Sequence, residues 1–316
     1  MEGRVRVGLS GLGSVAQRGI LPHLACSDAQ ERIETVACCD VVPGRARETA
    51  EKFGWQHAYE DFDEMLSAVD LDAVLLATPI PFHYPQAMEA IRAGKHVYVQ
   101  KTMTVTLAEA DDIVKAASEN AVKVVASPGQ MLSPVFGYAE RLAGSGALGK
   151  IYWSFSDTAS GGHEEERFRS SGSVLTDVDP TWYYRAGGGP VRDMAVYALH
   201  SLTGILGAAK SVSAMSGKGL PIRRWRDRDI EVEVDDNTMM VLELESGAFA
   251  VVGGHNSVSP PSIDFGAVAV SGSEGSFTVR RNLIDVVGDP SSLPPLGEAL
   301  VASTPEASDH VTRIEA

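Results

Sequence analysis

The stretch Val5-Arg-Val-Gly-Leu-Ser-Gly-Leu-Gly-Ser-Val-Ala16 governs how the rest of the chain is read. A short apolar run enters Gly11-x-Gly13-x-x-Ala16, and a segment compatible with a helix follows. A dinucleotide pyrophosphate needs a tight turn, close main-chain approach and the positive end of a helix, and this order of elements supplies all three. Gly11 permits the turn, Gly13 keeps a side chain out of the pyrophosphate's path, and Ala16 lets helix and strand approach. Ser14 and Val15 lie in the same turn and join the candidate cofactor contacts.

Outward from this turn, strands and helices alternate. Val5–Leu9 reads as the first strand, Val15–Leu24 as the first helix and Glu34–Asp40 as the second strand. Asp40 falls at the carboxyl end of that strand. A carboxylate there accepts the hydroxyls of an adenosine ribose and repels a 2'-phosphate, which favours NAD. NADP stays open, because the guanidinium of Arg45 is able to neutralise such a phosphate; a plain surface role for Arg45 is the alternative. Helical patterns follow at Arg45–Phe53, closed by Gly54, and at Phe62–Val69, capped by Asp61.

Ala73–Ala77 is a continuous apolar run, as expected of a parallel strand covered on both faces. Thr78-Pro79-Ile80-Pro81 stops it, so Thr78 and Pro79 are candidates for the cofactor wall. His83 either lines the same cleft or only starts the helix Tyr84–Ala93. His96–Val99 is the next strand, and Gln100-Lys101-Thr102 follows at its carboxyl end, where open α/β sheets hold ligands. Thr106-x-x-Glu109 is a capping box. Val122–Ala126 ends the alternation, and Pro128-Gly129 marks the crossing into a second unit.

From Lys150 the rhythm changes. After a connecting helix at Ser133–Ala143, strands are expected at Ile151–Ser156, Ala209–Met215, Asn237–Leu244, Phe249–Gly253, Val268–Ser271 and Ser276–Arg280. Few helices accompany them, which implies a largely antiparallel sheet covered on one face by helices or by a partner subunit. The fold class is therefore α/β: a Rossmann dinucleotide-binding domain at 1–128 and an α+β domain at 129–316. Thr158–Pro180, rich in glycine and charge, reads as a mobile loop. Gly187-Gly-Gly-Pro190 introduces a helix at Val191–Leu202 on which Asp193 and Tyr197, four apart, share a face. His200 reads as a packed or interface residue. Trp182, Tyr183 and Tyr184 form either ordinary core or a platform for a sugar ring. Pro290–Pro295 opens a tail with little periodic structure.

Composition bounds the function. The chain has 316 residues, 44% hydrophobic and 22% charged, with a formal net charge of -15. Such an acidic chain is a poor partner for nucleic acid. Its three cysteines, Cys26, Cys38 and Cys39, have no metal-ligand or disulfide spacing. No apolar stretch is long enough to span a bilayer and no secretion leader is visible, so a cytoplasmic enzyme is the expectation.

With Gly11, Gly13, Ala16, Asp40, Thr78, Pro79, Gln100, Lys101, Asp193 and Tyr197 in this order, the chain resembles the Gfo/Idh/MocA oxidoreductases over residues 1 to roughly 280. The resemblance implies hydride transfer between nicotinamide and a carbinol or carbonyl carbon of a sugar, glycoside or cyclic polyol, in a homodimer or homotetramer, with substrate binding and oligomerisation by the open sheet of the 129–316 domain. Lys101 corresponds to the family's active-site lysine, although Gln-Lys-Thr replaces the usual Glu-Lys-Pro and removes the proline that eases a cis peptide. The family's Asp-x-x-x-His appears as Asp193-x-x-x-Tyr197, the variant of members resembling glucose-fructose oxidoreductase. Tyr197 then exchanges the hydroxyl proton, Lys101 favours its phenolate and stabilises developing alkoxide, and Asp193 orients the lysine or a substrate hydroxyl. The reverse assignment, with Lys101 as proton acceptor, is equally open.

Trp153, Asp157, His163, Arg169, Tyr183 and His255 are further candidates for the substrate pocket, and Arg167, Arg169, Arg185 and Arg192 could form a local positive field. The terminal helix common in the family has no visible counterpart. The competing functions are a non-catalytic nucleotide- or sugar-binding protein and an oxidoreductase of dihydrodiols or dicarbonyls.

Overall fold

The computed structural model describes residues 3–257, 264–303 and 311–316. Its contacts divide the chain into two units. The first comprises 1–127 with 163–188 and 224–230, and the second comprises 128–162, 189–223 and 231–316. The units change at 127/128, beside the boundary expected at 128/129, and the division is not contiguous. Two later segments pack with the N-terminal residues, and nothing in their composition announces that.

The first unit is built on six parallel strands, β1 (Val5–Ser10), β2 (Ile33–Cys39), β3 (His57–Tyr59), β4 (Ala73–Leu76), β5 (His96–Val99) and β6 (Val124–Ala126), in the order β3-β2-β1-β4-β5-β6. The order reverses between β1 and β4, which is where such sheets bind nucleotides. Ser10 pairs with Cys39 on one side and Leu76 on the other, so the chain leaves β1, β2 and β4 at one edge. Both faces are covered. Val74, Leu76, Val97 and Val99 pack with Ala87, Ala90, Ile91 and Ile113. Val7, Leu9 and Cys38 pack with Leu12, Ala16, Ala46 and Trp55.

The helices are α1 (Leu21–Leu24), α2 (Ser27–Gln30), α3 (Arg45–Phe53), α4 (Phe62–Ala68), α5 (His83–Arg92) and α6 (Leu107–Glu119). The one expected over Val15–Leu24 is not uniform: Ala16–Ile20 forms a π-helical turn before α1, whose Pro22 has no N–H to give back. Thr106 and Glu109 cap α6 reciprocally, as their spacing predicts.

The second unit holds nine strands in the order β16-β17-β15-β14-β13-β7-β12-β11-β8. They are β7 (Ile151–Asp157), β8 (Ala209–Gly217), β11 (Asn237–Leu244), β12 (Phe249–His255), β13 (Val268–Gly272), β14 (Ser276–Arg280), β15 (Leu283–Val287), β16 (Val301–Ser303) and β17 (Val311–Glu315). β7 and β12 run parallel and the other pairs antiparallel. β9 (Ile222–Trp225) and β10 (Arg228–Glu231) pair separately.

The helices of this unit, α7 (Pro134–Gly144), α8 (Pro190–Asp193) and α9 (Ala195–Leu206), supply the apolar cover. Met240, Leu242, Ala250 and Val252 pack with Ala195, Ala198 and Leu202, while Val268, Phe277, Val279 and Ile284 pack with Val135, Phe136 and Leu142. Residues of opposite parity, Trp153, Phe249, Met239 and Met215, are exposed.

Two expectations for this half are corrected. The tail after Pro290 contains β16 and β17, and β17 pairs with β15 to extend the sheet. The helix read over Val191–Leu202 is two pieces broken at Met194, whose φ of -115° departs from helix. Asp193 therefore ends one piece and Tyr197 lies in the first turn of the next, so the four-residue spacing is not that of one helical face.

Candidate active site

The two glycines of the first turn have different reasons to be glycine. Gly11 has a φ of +86°, and a Cβ there would sit 2.5 Å from the carbonyl carbon of Ala77 and the nitrogen of Thr78. The exit of β4 thus demands glycine from within the fold. At Gly13 a Cβ would meet only Val178 Cγ1, at 3.6 Å, an ordinary contact. The chain's own packing does not require glycine at 13, and the missing side chain leaves the main chain open to close approach. Ala16 is fully buried and Val15 is exposed.

Asp40 leaves β2 at the same edge. Its carboxylate accepts from Leu12 N at 2.8 Å, Val42 N at 2.9 Å and Arg45 Nη1 at 3.1 Å. A carboxylate has about four acceptor positions, and three are taken. Arg45 is no surface charge: it is 6% exposed and also donates to the carbonyls of Val174 at 3.0 Å and Asp177 at 2.9 Å. The carboxylate Asp40 and the Arg45 guanidinium form one buried ion pair at the start of α3.

The segment expected to be a mobile loop supplies those carbonyls. Within it, Glu166 Oε2 accepts from Ser14 Oγ at 3.2 Å and from Arg169 Nε at 3.0 Å, while its other oxygen lies 2.9 Å from His163 Nδ1. Burial would raise this carboxyl, but the His163 hydrogen bond and the charges of His163, Arg169 and Arg18 outweigh it and hold it at about 2. Arg169 also donates to Val178 O at 2.8 Å. His163 and Arg169, named as pocket candidates, are thus tied to Glu166.

Outside this knot, Arg226 pairs with Asp177 at 2.8 Å and Arg228 with Asp179, and both guanidinium groups lie over the Trp225 ring. Tyr183 is fully buried, tilted on His163 and edge-on to Trp182 and Tyr184, which is a core arrangement rather than a sugar platform. Gly188 follows: a Cβ there would lie 2.5 Å from Tyr183 O.

At the carboxyl ends of β4 and β5, the Thr78 hydroxyl donates to Gln86 Oε1 at 3.1 Å, and Pro79 begins the turn into α5. His83, the first residue of α5, is 1% exposed, with Nε2 at 2.7 Å from Thr78 O and Nδ1 at 2.8 Å from Thr102 O. Gln100 Oε1 accepts from Ser127 Oγ at 3.2 Å. Lys101 is buried, and its peptide bond to Thr102 is cis although no proline is present.

In the second unit, Asp157 ends β7 and His255 ends β12, with Asp157 Oδ1 at 3.1 Å from His255 Nε2. Gly253 makes the pair possible, since a Cβ there would lie 2.1 Å from that oxygen. Ser257 Oγ lies 2.7 Å from His255 Nδ1. The main chain of Asp157 accepts from Gly266 N at 2.7 Å, and neighbouring Phe265 stands edge-on to Tyr197. Gly254 packs on Ala195 and Pro190. These contacts bring Asp157, His255 and Tyr197, together with buried Asp193, to one end of the nine-stranded sheet.

Trp153 does not join them; it is exposed beside Phe249 on the open face. His200 has its basicity lowered by burial, in keeping with a packed residue. Sequence reasoning missed Glu166 and the Asp157–His255 pairing. The only signal for the latter was the glycine at 253, opposite Asp157 in the β7–β12 register.

Among the described residues, no group of three or more His, Cys, Asp or Glu side chains could hold a metal ion. Among the described residues, no helix is long and apolar enough to cross a membrane.

A family model described as the oxidoreductase family with an NAD-binding Rossmann fold matches residues 5–127, and the C-terminal domain model of the same family matches 136–278. The scyllo-inositol 2-dehydrogenase (NAD(+)) of Bacillus subtilis is 29% identical over 296 residues, covering 91% of this chain and 78% of that protein. The D-xylose dehydrogenase of Paenarthrobacter nicotinovorans is 27% identical over 226 residues, covering 67% of this chain and 54% of that protein. The chain thus spans about half the length of that second relative. The crystal structure of an NAD binding oxidoreductase from Klebsiella pneumoniae aligns with a TM-score of 0.73 at 26% identity, covering 90% of this chain and 76% of that one. Both domain models, in the order and position where the two sheets occur, make this chain a member of the Gfo/Idh/MocA oxidoreductase family.

Proposed function

We propose that the chain is a nicotinamide-dependent dehydrogenase acting on a sugar, glycoside or cyclic polyol. The observation that carries the reading is the single sheet edge at which Gly11, Asp40, Thr78 and Lys101 follow the strands β1, β2, β4 and β5. A ligand-binding turn, a ribose acceptor, a cofactor wall and a buried cation are what hydride transfer needs from such an edge. The substrate class rests on relatives named as inositol and xylose dehydrogenases.

Nicotinamide supplies or accepts the hydride; the chain supplies position, charge and a proton path. Lys101 stabilises negative charge developing on the substrate oxygen. Tyr197 takes the hydroxyl proton in oxidation and returns it in reduction, and Asp193 accepts from a neighbouring hydroxyl. Asp157, with His255 held against it, is a second acceptor for a polyhydroxylated ring. NAD is the favoured cofactor because Asp40 is a carboxylate, although Arg45 already occupies one of its oxygens. The open face of the nine-stranded sheet, with Trp153, Met215, Met239 and Phe249 exposed, is covered by a second copy of the chain.

The test is turnover with NAD and with NADP over inositols, aldoses and glycosides, read by nicotinamide absorbance. Reduction of NAD by at least one polyol, faster than reduction of NADP, is expected. Tight NADH binding without turnover on the whole panel would instead favour a non-catalytic sugar-binding protein.

A further inference from the structure

We propose that His83 is an imidazolium, hydrogen-bonded through both ring nitrogens, that ties the exits of β4 and β5 together and so positions Lys101. The positioning role rests on the function proposed for Lys101; the charge state does not.

Each ring nitrogen lies against a main-chain carbonyl oxygen, Nδ1 at 2.8 Å from Thr102 O and Nε2 at 2.7 Å from Thr78 O. Carbonyl oxygens only accept. A neutral imidazole has one N–H and one bare nitrogen, so one of these contacts would set lone pair against lone pair well inside 3 Å. Turning the ring over does not relieve this. Carbon atoms would then occupy the same places, and C–H···O contacts prefer about 3.3–3.6 Å. Each nitrogen therefore carries a proton.

Three effects oppose the charge. The ring is 1% exposed, it stands at the first residue of α5, where the helix dipole disfavours a cation, and Lys101, next to Thr102, is a second cation. The dipole effect is confined to one turn, whereas two short charge-assisted hydrogen bonds act directly on the ring. Of the acidic groups on α6, which packs against α5, Glu109 accepts from Val105 N and Thr106 N, and Asp112 accepts from Tyr84 Oη. Arg92 lies at the far end of α5.

The mechanical consequence follows from the register. β4 and β5 are neighbours, with Leu76 opposite Val99. Thr78 lies two residues beyond one strand and Thr102 three beyond the other, and the His83 ring bridges their carbonyls. Lys101 sits one residue before the second of these anchors. A neutral ring could hold one exit but would repel the other, so the charge is what fixes Lys101 relative to Thr78 and Pro79.

The experiment is long-range ¹H–¹⁵N NMR of the full chain without substrate, with His83 assigned by its loss in His83→Gln. At about pH 7.5, where an ordinary histidine near 6.5 is mostly neutral, both His83 nitrogens are expected to carry protons. One bare nitrogen overturns the proposal. Single-turnover hydride transfer from the best polyol to NAD follows in His83→Gln and His83→Leu, with thermal unfolding read alongside. The chemical step is expected to slow about tenfold in His83→Leu and less in His83→Gln, which keeps one donor, while NADH affinity stays near that of the parent chain. An unchanged rate in both folded variants removes the positioning role; if His83→Leu does not fold, the spectrum and His83→Gln decide. Absence of polyol turnover in the parent chain would leave the spectrum as it is, so the two failures are separable.

Discussion

The two sheets of this chain solve the same burial problem in opposite ways. The six-stranded parallel sheet is covered on both faces by its own helices, and its strands are short runs such as Ala73–Leu76 with little polar alternation. The nine-stranded sheet is covered on one face only, and β11 alternates strictly, Met240 and Leu242 inward, Met239 and Val241 outward. The first sheet keeps its chemistry at one edge, where main-chain geometry is dictated by glycine and by pairing. The second carries Asp157 and His255 at strand ends and leaves Trp153, Met215, Met239 and Phe249 exposed on its other face.

The sharpest way to break this contrast is at the two glycines. Gly11→Val meets the main chain of Ala77 and Thr78 and a φ of +86°, so loss of the folded first unit is expected in thermal unfolding, the φ alone costing about 1–3 kcal/mol. Gly13→Ala has ordinary room, so stability should stay within about 1 kcal/mol while NADH affinity falls about tenfold or more. Equal effects of the two on stability would remove the distinction between a glycine required by the fold and one required by the ligand.

Next in size is the buried pair. Arg45→Leu leaves the Asp40 carboxylate without its cation, and about 3–5 kcal/mol of stability is expected to go, read by denaturant unfolding. Adding Asp40→Asn to that variant should restore part of it, because the uncompensated charge is then gone.

On the other sheet, Met239→Glu places a charge on an exposed position of the open face. Stability of the single chain should change by no more than about 0.5 kcal/mol, while sedimentation should shift from an oligomer to one chain. An unchanged oligomer would put the interface elsewhere.

The smallest effect sharpens the buried character of β2. Burial pushes the thiols of Cys38 and Cys39 up to about 12, while Cys26 is exposed outside the sheet. A thiol reagent near neutral pH should find one fast cysteine and two that react only on unfolding. Three fast thiols would mean that β2 is open to solvent.

The same contrast explains what was legible in the sequence. Local rules carried the first sheet: apolar runs for its strands, Thr106 and Glu109 for a helix start, glycine at 54 and 94 for helix ends. They also placed Lys101 at a strand exit. Non-local pairing hid the rest. β17 joins the sheet through partners in β15, across a span with no periodicity, and Thr312, Arg313 and Glu315 leave it no apolar run. The break at Met194 has neither glycine nor proline to mark it. Glu166, Val174 and Asp177 reach Ser14 and Arg45 from more than a hundred positions away, so charge composition alone read that segment as a loose loop.

The most direct measurement is single-turnover hydride transfer in Lys101→Ala and Tyr197→Phe, using NAD and the best polyol of the panel, with NADH affinity measured in parallel. Both variants are expected to slow the chemical step about a hundredfold or more while binding NADH nearly as well as the parent chain. Rates within about threefold of the parent chain in both would contradict the assignment of proton transfer and charge stabilisation to these two residues.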